Sequence, residues 1–245
     1  MKTMHLRNGV RLPTAAVTIL LASTTVAYAA DNWFTGDVGV GAAYTQPHTR
    51  GAKSELDPIP FLNGDAGPLF ARIDAFGVKA SPLGYGALEV VGQYREDGYT
   101  PPGEQRRSSS VPIGIGTLQI TPIGAFELRS MHDFGKSHGN LLQARYLAEL
   151  PLGRLNLYPE VGVEYEDSGY TRYYFGTSGV GGVQPFRPGS ALNPYLGMFA
   201  ELHIVGKWYA DAYYRRTFLD DNVSASPLVT RKAWNSALLA VSYRF

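Results

Sequence analysis

The sequence predicts an all-β fold: a transmembrane antiparallel up-and-down β-barrel of about ten strands, with short periplasmic turns and long extracellular loops. Three observations predict it. The end of the chain alternates with period two, Ala237, Leu239, Val241, Tyr243 and Phe245 on one face and Leu238, Ala240, Ser242 and Arg244 on the other. The last residue, Phe245, is aromatic, as in a closing strand that ends at the periplasmic aromatic girdle. Connections alternate short and long along the chain, an asymmetry that outer-membrane barrels have and soluble sandwiches have no reason to share.

Residues 1–29 read as a secretory signal. Lys2, Arg7 and Arg11 precede a mostly apolar run from Leu12 to Ala22, and Ala27-Tyr28-Ala29 is a cleavage pattern. That run is too short to span a bilayer as a helix. Residues 30–245 are then one barrel domain. Three of the chain's 22 basic residues fall in the signal, leaving 19 against 21 acidic ones, a net charge of about −2. A near-neutral chain without a basic patch gives no footprint for nucleic acid. The absence of cysteine excludes disulfides and thiolate metal sites. No apolar run of helix-spanning length follows the signal, which excludes a helical membrane protein.

The first strand runs from Trp33 to Tyr44. Residues 45–67 read as a long loop with a short extended piece, Pro58 to Leu62. Strands follow at 69–80, 85–95, 109–120, 125–134, 141–150, 154–165, 195–204 and 208–218, and the closing strand completes ten. Short turns fall near residues 81, 122, 152 and 206; long loops fall at 45–67, 96–108, 166–193 and 219–232. If Pro58–Leu62 is a full strand with its own hairpin partner, the count is twelve. Pro159 cannot donate to a ladder, so its strand needs a bulge or a locally unpaired position there.

Lipid satisfies no backbone group, so every strand edge must be paired and the barrel closed. Apolar faces then meet lipid and charged faces meet the lumen. The inward set comprises Asp37, Asp74, Glu89, Glu127, Glu149, Glu160, Glu164, Glu201 and Asp211, opposed by Arg72, Arg95, Arg129, Arg145, Arg154 and Arg215. Mixed charge in a narrow barrel pairs with itself and nearly fills the interior, leaving at most a narrow pore.

No enzyme emerges. His203 shares a face with Glu201, a possible base and its orienter, but no Ser in a nucleophile setting accompanies them. His132 and His138 with Asp133 match no standard metal spacing, and no cofactor motif is present. The Tyr-rich third long loop, with Tyr173, Tyr174 and Phe175, is a candidate external contact surface, or else a cap folded into the barrel mouth. Tyr243 and Phe245 are the candidate assembly signal read by the barrel assembly machinery. The remaining expected neighbours are outer-membrane lipid and lipopolysaccharide.

Two passages, Tyr173-Tyr-Phe-Gly-Thr-Ser178 and Ser226-Pro-Leu-Val229, together with Pro58-Ile-Pro60, resemble the MipA/OmpV family of outer-membrane proteins. Thr177 stands where the family more often has Val. The resemblance covers essentially the whole mature chain and implies an outer-membrane barrel. It also implies a scaffold that links a murein lytic transglycosylase to a murein synthase, with adhesion as another role in the family. A narrow small-solute channel, or an adhesin working through the loops, is the alternative.

Overall fold

A computed structural model describes residues 33–54, 56–180 and 183–245; the predicted signal lies outside the described residues. Thirteen strand segments form one antiparallel sheet that closes on itself. They are β1 (Phe34–Thr45), β2 (Leu56–Ala66), β3 (Leu69–Arg72), β4 (Ala75–Leu83), β5 (Gly86–Gln93), β6 (Ile113–Thr121), β7 (Gly124–His132), β8 (Asn140–Leu147), β9 (Leu150–Leu152), β10 (Leu155–Glu166), β11 (Ala191–Val205), β12 (Trp208–Phe218) and β13 (Ala233–Arg244). Two short helices, α1 (Ser168–Phe175) and α2 (Asp221–Ser224), lie in the loops. Both β8 and β9 pair with β10, so they are two halves of one wall strand and the barrel has twelve.

Twelve is the higher of the two counts the sequence allows. The two extra strands come from one region. What reads as a loop at 45–67 contains β2, and what reads as one strand at 69–80 is the hairpin β3–β4, which turns at Ile73-Asp74. The prolines and turn residues of β2 hide its alternation. An even count keeps both ends of the wall together: Phe245 N–H donates to Gly36 O at 3.0 Å, and β13 pairs with β1 from Asp37↔Arg244 to Thr45↔Ser236.

The strand faces follow the alternation. On β13 Leu239 and Val241 are 67% and 45% exposed, while Leu238, Ala240 and Ser242 are buried. On β11 and β12 Leu196 and Leu202 face outward, and Glu201 and Asp211 are buried inside. Three expected lumenal charges belong elsewhere: Asp74 is exposed in the turn between β3 and β4, Glu149 is exposed in the break between β8 and β9, and Arg154 is exposed at the short-turn end, donating to the carbonyls of His203 and Ile204. Pro159 sits opposite that break. Its carbonyl accepts from Ala148 N–H, so its missing donor faces the one place in β8–β9 where the strand is interrupted.

Candidate functional site

The lumen is crossed by paired charges from end to end. At the short-turn end Arg244 grips Asp37 with two bonds of 2.8 Å, across the seam where β13 meets β1, and also binds Glu201. Arg72 grips Glu89 at 2.7 and 3.0 Å, bridging over β4. In the middle Glu127 joins Arg129 at 2.7 Å and Arg145 at 2.9 Å, and Arg145 reaches Glu160 at 3.6 Å. Tyr213 donates to Glu160, and Arg215 lies 3.6 Å above the Tyr195 ring. The Tyr195 ring itself lies against Gly162, where an added Cβ would meet its Cζ at 2.3 Å. Toward the long-loop end Arg95 spans the lumen to Glu164 with two bonds of 2.7 Å and touches Asp97 and Glu166. Gln143 links Gln93 to Glu164.

Above this network α1 closes the mouth. Asp167 caps it, accepting from Gly169 N–H at 2.9 Å and Tyr170 N–H at 3.0 Å. Burial alone would raise the Asp167 pKa, but these bonds and one from Asn140 hold it below the usual value. Gly139 lets the helix approach: a Cβ there would stand 2.3 Å from Tyr170 N. Tyr170 and Tyr174 are each 1% exposed and pack with Val91, Met131, Leu141 and Val223. Tyr170 donates to Asp97 at 2.6 Å, Tyr174 to Ser108 O at 2.9 Å, and Tyr99 to Tyr174 O. Burial pushes the Tyr99, Tyr170 and Tyr174 phenols above their ordinary value, so all three stay neutral donors.

The candidate loop residues take their places in this cap. Phe175 is 7% exposed and Tyr173 is half-buried, its hydroxyl accepting from Ser108 N–H at 3.1 Å. Of the two roles the sequence leaves open for the loop, these are the positions of a cap. The passage Ser226–Val229 locks it: Ser226 Oγ donates to Phe175 O at 2.7 Å, Leu228 is fully buried, and Thr49 bridges to Val229. The cap helix was legible only in part; Asp167 ahead of Ser168 is an N-cap signal, but the eight-residue helix has little periodicity of its own.

At the opposite end the short turns leave a hollow of about 590 Å³. Asp37, Asp65, Arg72, Lys79, Glu89 and Arg244 line it. Beside it Tyr243 and Phe245 join an aromatic girdle: Phe245 stands 5.8 Å from Phe34 and 5.1 Å from Tyr243, and Tyr243 stands 5.3 Å from Trp208. His203 Nε2 bonds the Gly206 carbonyl at 2.8 Å at a turn, and His132 bonds Asn140 at 2.9 Å. Among the described residues no three His, Cys, Asp or Glu side chains are grouped to hold a metal.

A sheet that closes on itself, with apolar side chains outward and ion pairs within, is the architecture of an outer-membrane β-barrel. The chain belongs to the family described as MltA-interacting protein MipA, whose family profile matches residues 38–245. It is similar to the Escherichia coli K12 protein named "Putative outer membrane protein YiaT", 24% identical over 225 residues that cover 85% of this chain and 90% of that protein. It is also similar to the MltA-interacting protein of the same strain, 26% identical over 145 residues that cover 57% of this chain and 58% of that protein. The protein is an outer-membrane barrel of this family.

The Arg72–Glu89 pair makes the network testable. Its side chains are 15% and 1% exposed. Removing one partner of such a pair leaves an uncompensated buried charge, which costs about 3–5 kcal/mol, whereas an apolar replacement of both is far better tolerated. Arg72→Met should therefore lower the unfolding free energy in lipid vesicles by that amount, and Arg72→Met with Glu89→Leu should recover most of the loss. Equal loss in the single and double variants would show that the pair does not act as a unit.

Proposed function

We propose that this protein is a non-catalytic interaction barrel that holds a murein-remodelling enzyme, a lytic transglycosylase, at the inner surface of the outer membrane. The observation that carries the reading is the contrast between its two ends. One end is closed by α1 and its buried tyrosines, with the lumen beneath crossed by ion pairs. The other end keeps an open, charged hollow beside an aromatic rim. A capped, filled barrel is poorly built to pass solute, whereas a rigid concave surface facing the periplasm is built to receive a protein segment. The name of the similar Escherichia coli protein, MltA-interacting protein, supports a partner of this kind. The turns around the hollow are short, so the hollow itself and its rim carry the contact.

Full-length protein extracted in mild detergent should capture the purified lytic transglycosylase of its own envelope. Lys79 and Asp65 pair at 2.8 Å on the rim of the hollow and are half-exposed. Lys79→Glu should weaken capture and change its salt dependence, because rim charges act mainly on association. No capture by the unaltered protein at micromolar concentration would remove the scaffold reading.

We further propose that Tyr243 and Phe245 form the signal read by the barrel assembly machinery. They end the strand that closes the seam, and Phe245 is 54% exposed on the girdle. Deleting Phe245 should reduce the heat-resistant barrel recovered from outer membranes while leaving export unchanged; undiminished recovery would remove the proposal.

A further inference from the structure

The barrel wall is not of equal height all round. β3 pairs with β2 only from Asn63 to Ala66 before the chain turns back at Ile73-Asp74. β2 continues on to Leu56, paired with β1 on one side. Among the described residues no strand lies on the other side of Leu56–Phe61. The result is a notch at the long-loop end, in the half of the wall that faces the outer leaflet.

Its edge is chemically one-sided. Ile73 N–H donates to Leu62 O at 3.0 Å, so the even-numbered residues of β2 turn their peptide groups toward the notch. Two of them, Pro58 and Pro60, have no N–H. Their positions leave every bond to β1 intact, since the odd-numbered residues make those, and remove donors only from the open edge. The edge therefore offers the carbonyls of Leu56, Pro58 and Pro60 as acceptors and resists pairing with another strand, which would require alternating donors. In a membrane such carbonyls need donors from elsewhere. The hairpin tip is also unusual. Ile73 has φ 54°, a left-handed conformation that a β-branched residue adopts at a cost, so the wall stops short here against local preference.

The surroundings narrow the occupant. Leu56, Pro58, Pro60 and Leu62 are exposed on the outer face and form an apolar track below the edge. Arg50 and Lys53 are exposed in the loop that leads into β2. We propose that the notch seats the phosphorylated, acylated sugar lipid of the outer leaflet. An acyl chain runs along the apolar track, hydroxyl and amide N–H groups of the sugar donate to the Pro58 and Pro60 carbonyls, and a phosphate meets Arg50 and Lys53. A plain phospholipid supplies the chain and phosphate but fewer donors, and a second copy of the chain is refused by the prolines.

The test uses the full chain in intact outer membranes, with a photo-crosslinking phenylalanine analogue replacing Leu62 or, as a control, Leu192, which is exposed on the outer face near the long-loop end of β11. The position-62 probe should give an adduct recognised by antibody to the sugar lipid, several-fold above that at 192. Arg50→Ser with Lys53→Ser should reduce it by roughly five-fold for each charge removed. A gel shift on heating checks that each variant is folded; if the position-62 variant is not, the probe goes at Leu56, which is 70% exposed. Equal adducts at 62 and 192, a main adduct with phospholipid or with a second copy of the chain, or indifference to the double substitution would overturn the proposal.

Discussion

The structure depends on pairing charge inside a wall that admits no water from its sides. Alternation sends each strand's polar residues into the lumen, and a buried carboxylate without a partner costs far more than any single contact returns. The solution is a ladder of arginines, Arg244, Arg72, Arg145 and Arg95, each joined to carboxylates on other strands. Arg suits the task because its planar fork grips a carboxylate with two bonds, as at Asp37, Glu89 and Glu164. The Arg244–Asp37 pair lies across the seam itself, so the charge network and the closure of the barrel are one arrangement.

The cap follows from the same constraint. Arg95 sits where the network ends, with Asp97, Glu164 and Glu166 around it, and Tyr170 covers the group while donating to Asp97. Without α1 this cluster would open to the long-loop side. The residues that carry the resemblance in the sequence have defined places in this architecture: Tyr174 and Phe175 are buried in the cap, Ser226 bonds to Phe175, and Pro58 and Pro60 shape a free edge. Accessible surface is left at the periplasmic hollow and its rim, at the notch in the wall, and on the long loops around Gly103, Gln105 and Ser178.

Much of this was legible in the sequence because period-two alternation survives in most strands. The facing of β11, β12 and β13 and the inward positions of Glu160, Glu164, Glu201 and Asp211 follow from it directly. It failed at β2 and β3, where Pro58 and Pro60 read as loop residues because their role on an unpaired edge is a property of neighbours, not of the strand itself. Asp74 belongs to a hairpin turn, and Glu149 and Arg154 lie beside chain reversals, where alternation no longer assigns a face. The bonds from Arg95 to Glu164 join residues nearly seventy positions apart, and nothing local in the chain announces them. The cap was readable as one of two alternatives, since aromatic residues serve equally well as external contacts or as a buried lid.

A lumen crossed by ion pairs and covered at its long-loop end by α1 should hold no open pore. Single-channel recording on the full-length protein in planar bilayers tests it most directly. No stable conductance steps above those of a protein-free membrane are expected at neutral pH. Steady, ohmic, porin-like steps from correctly folded protein would contradict it.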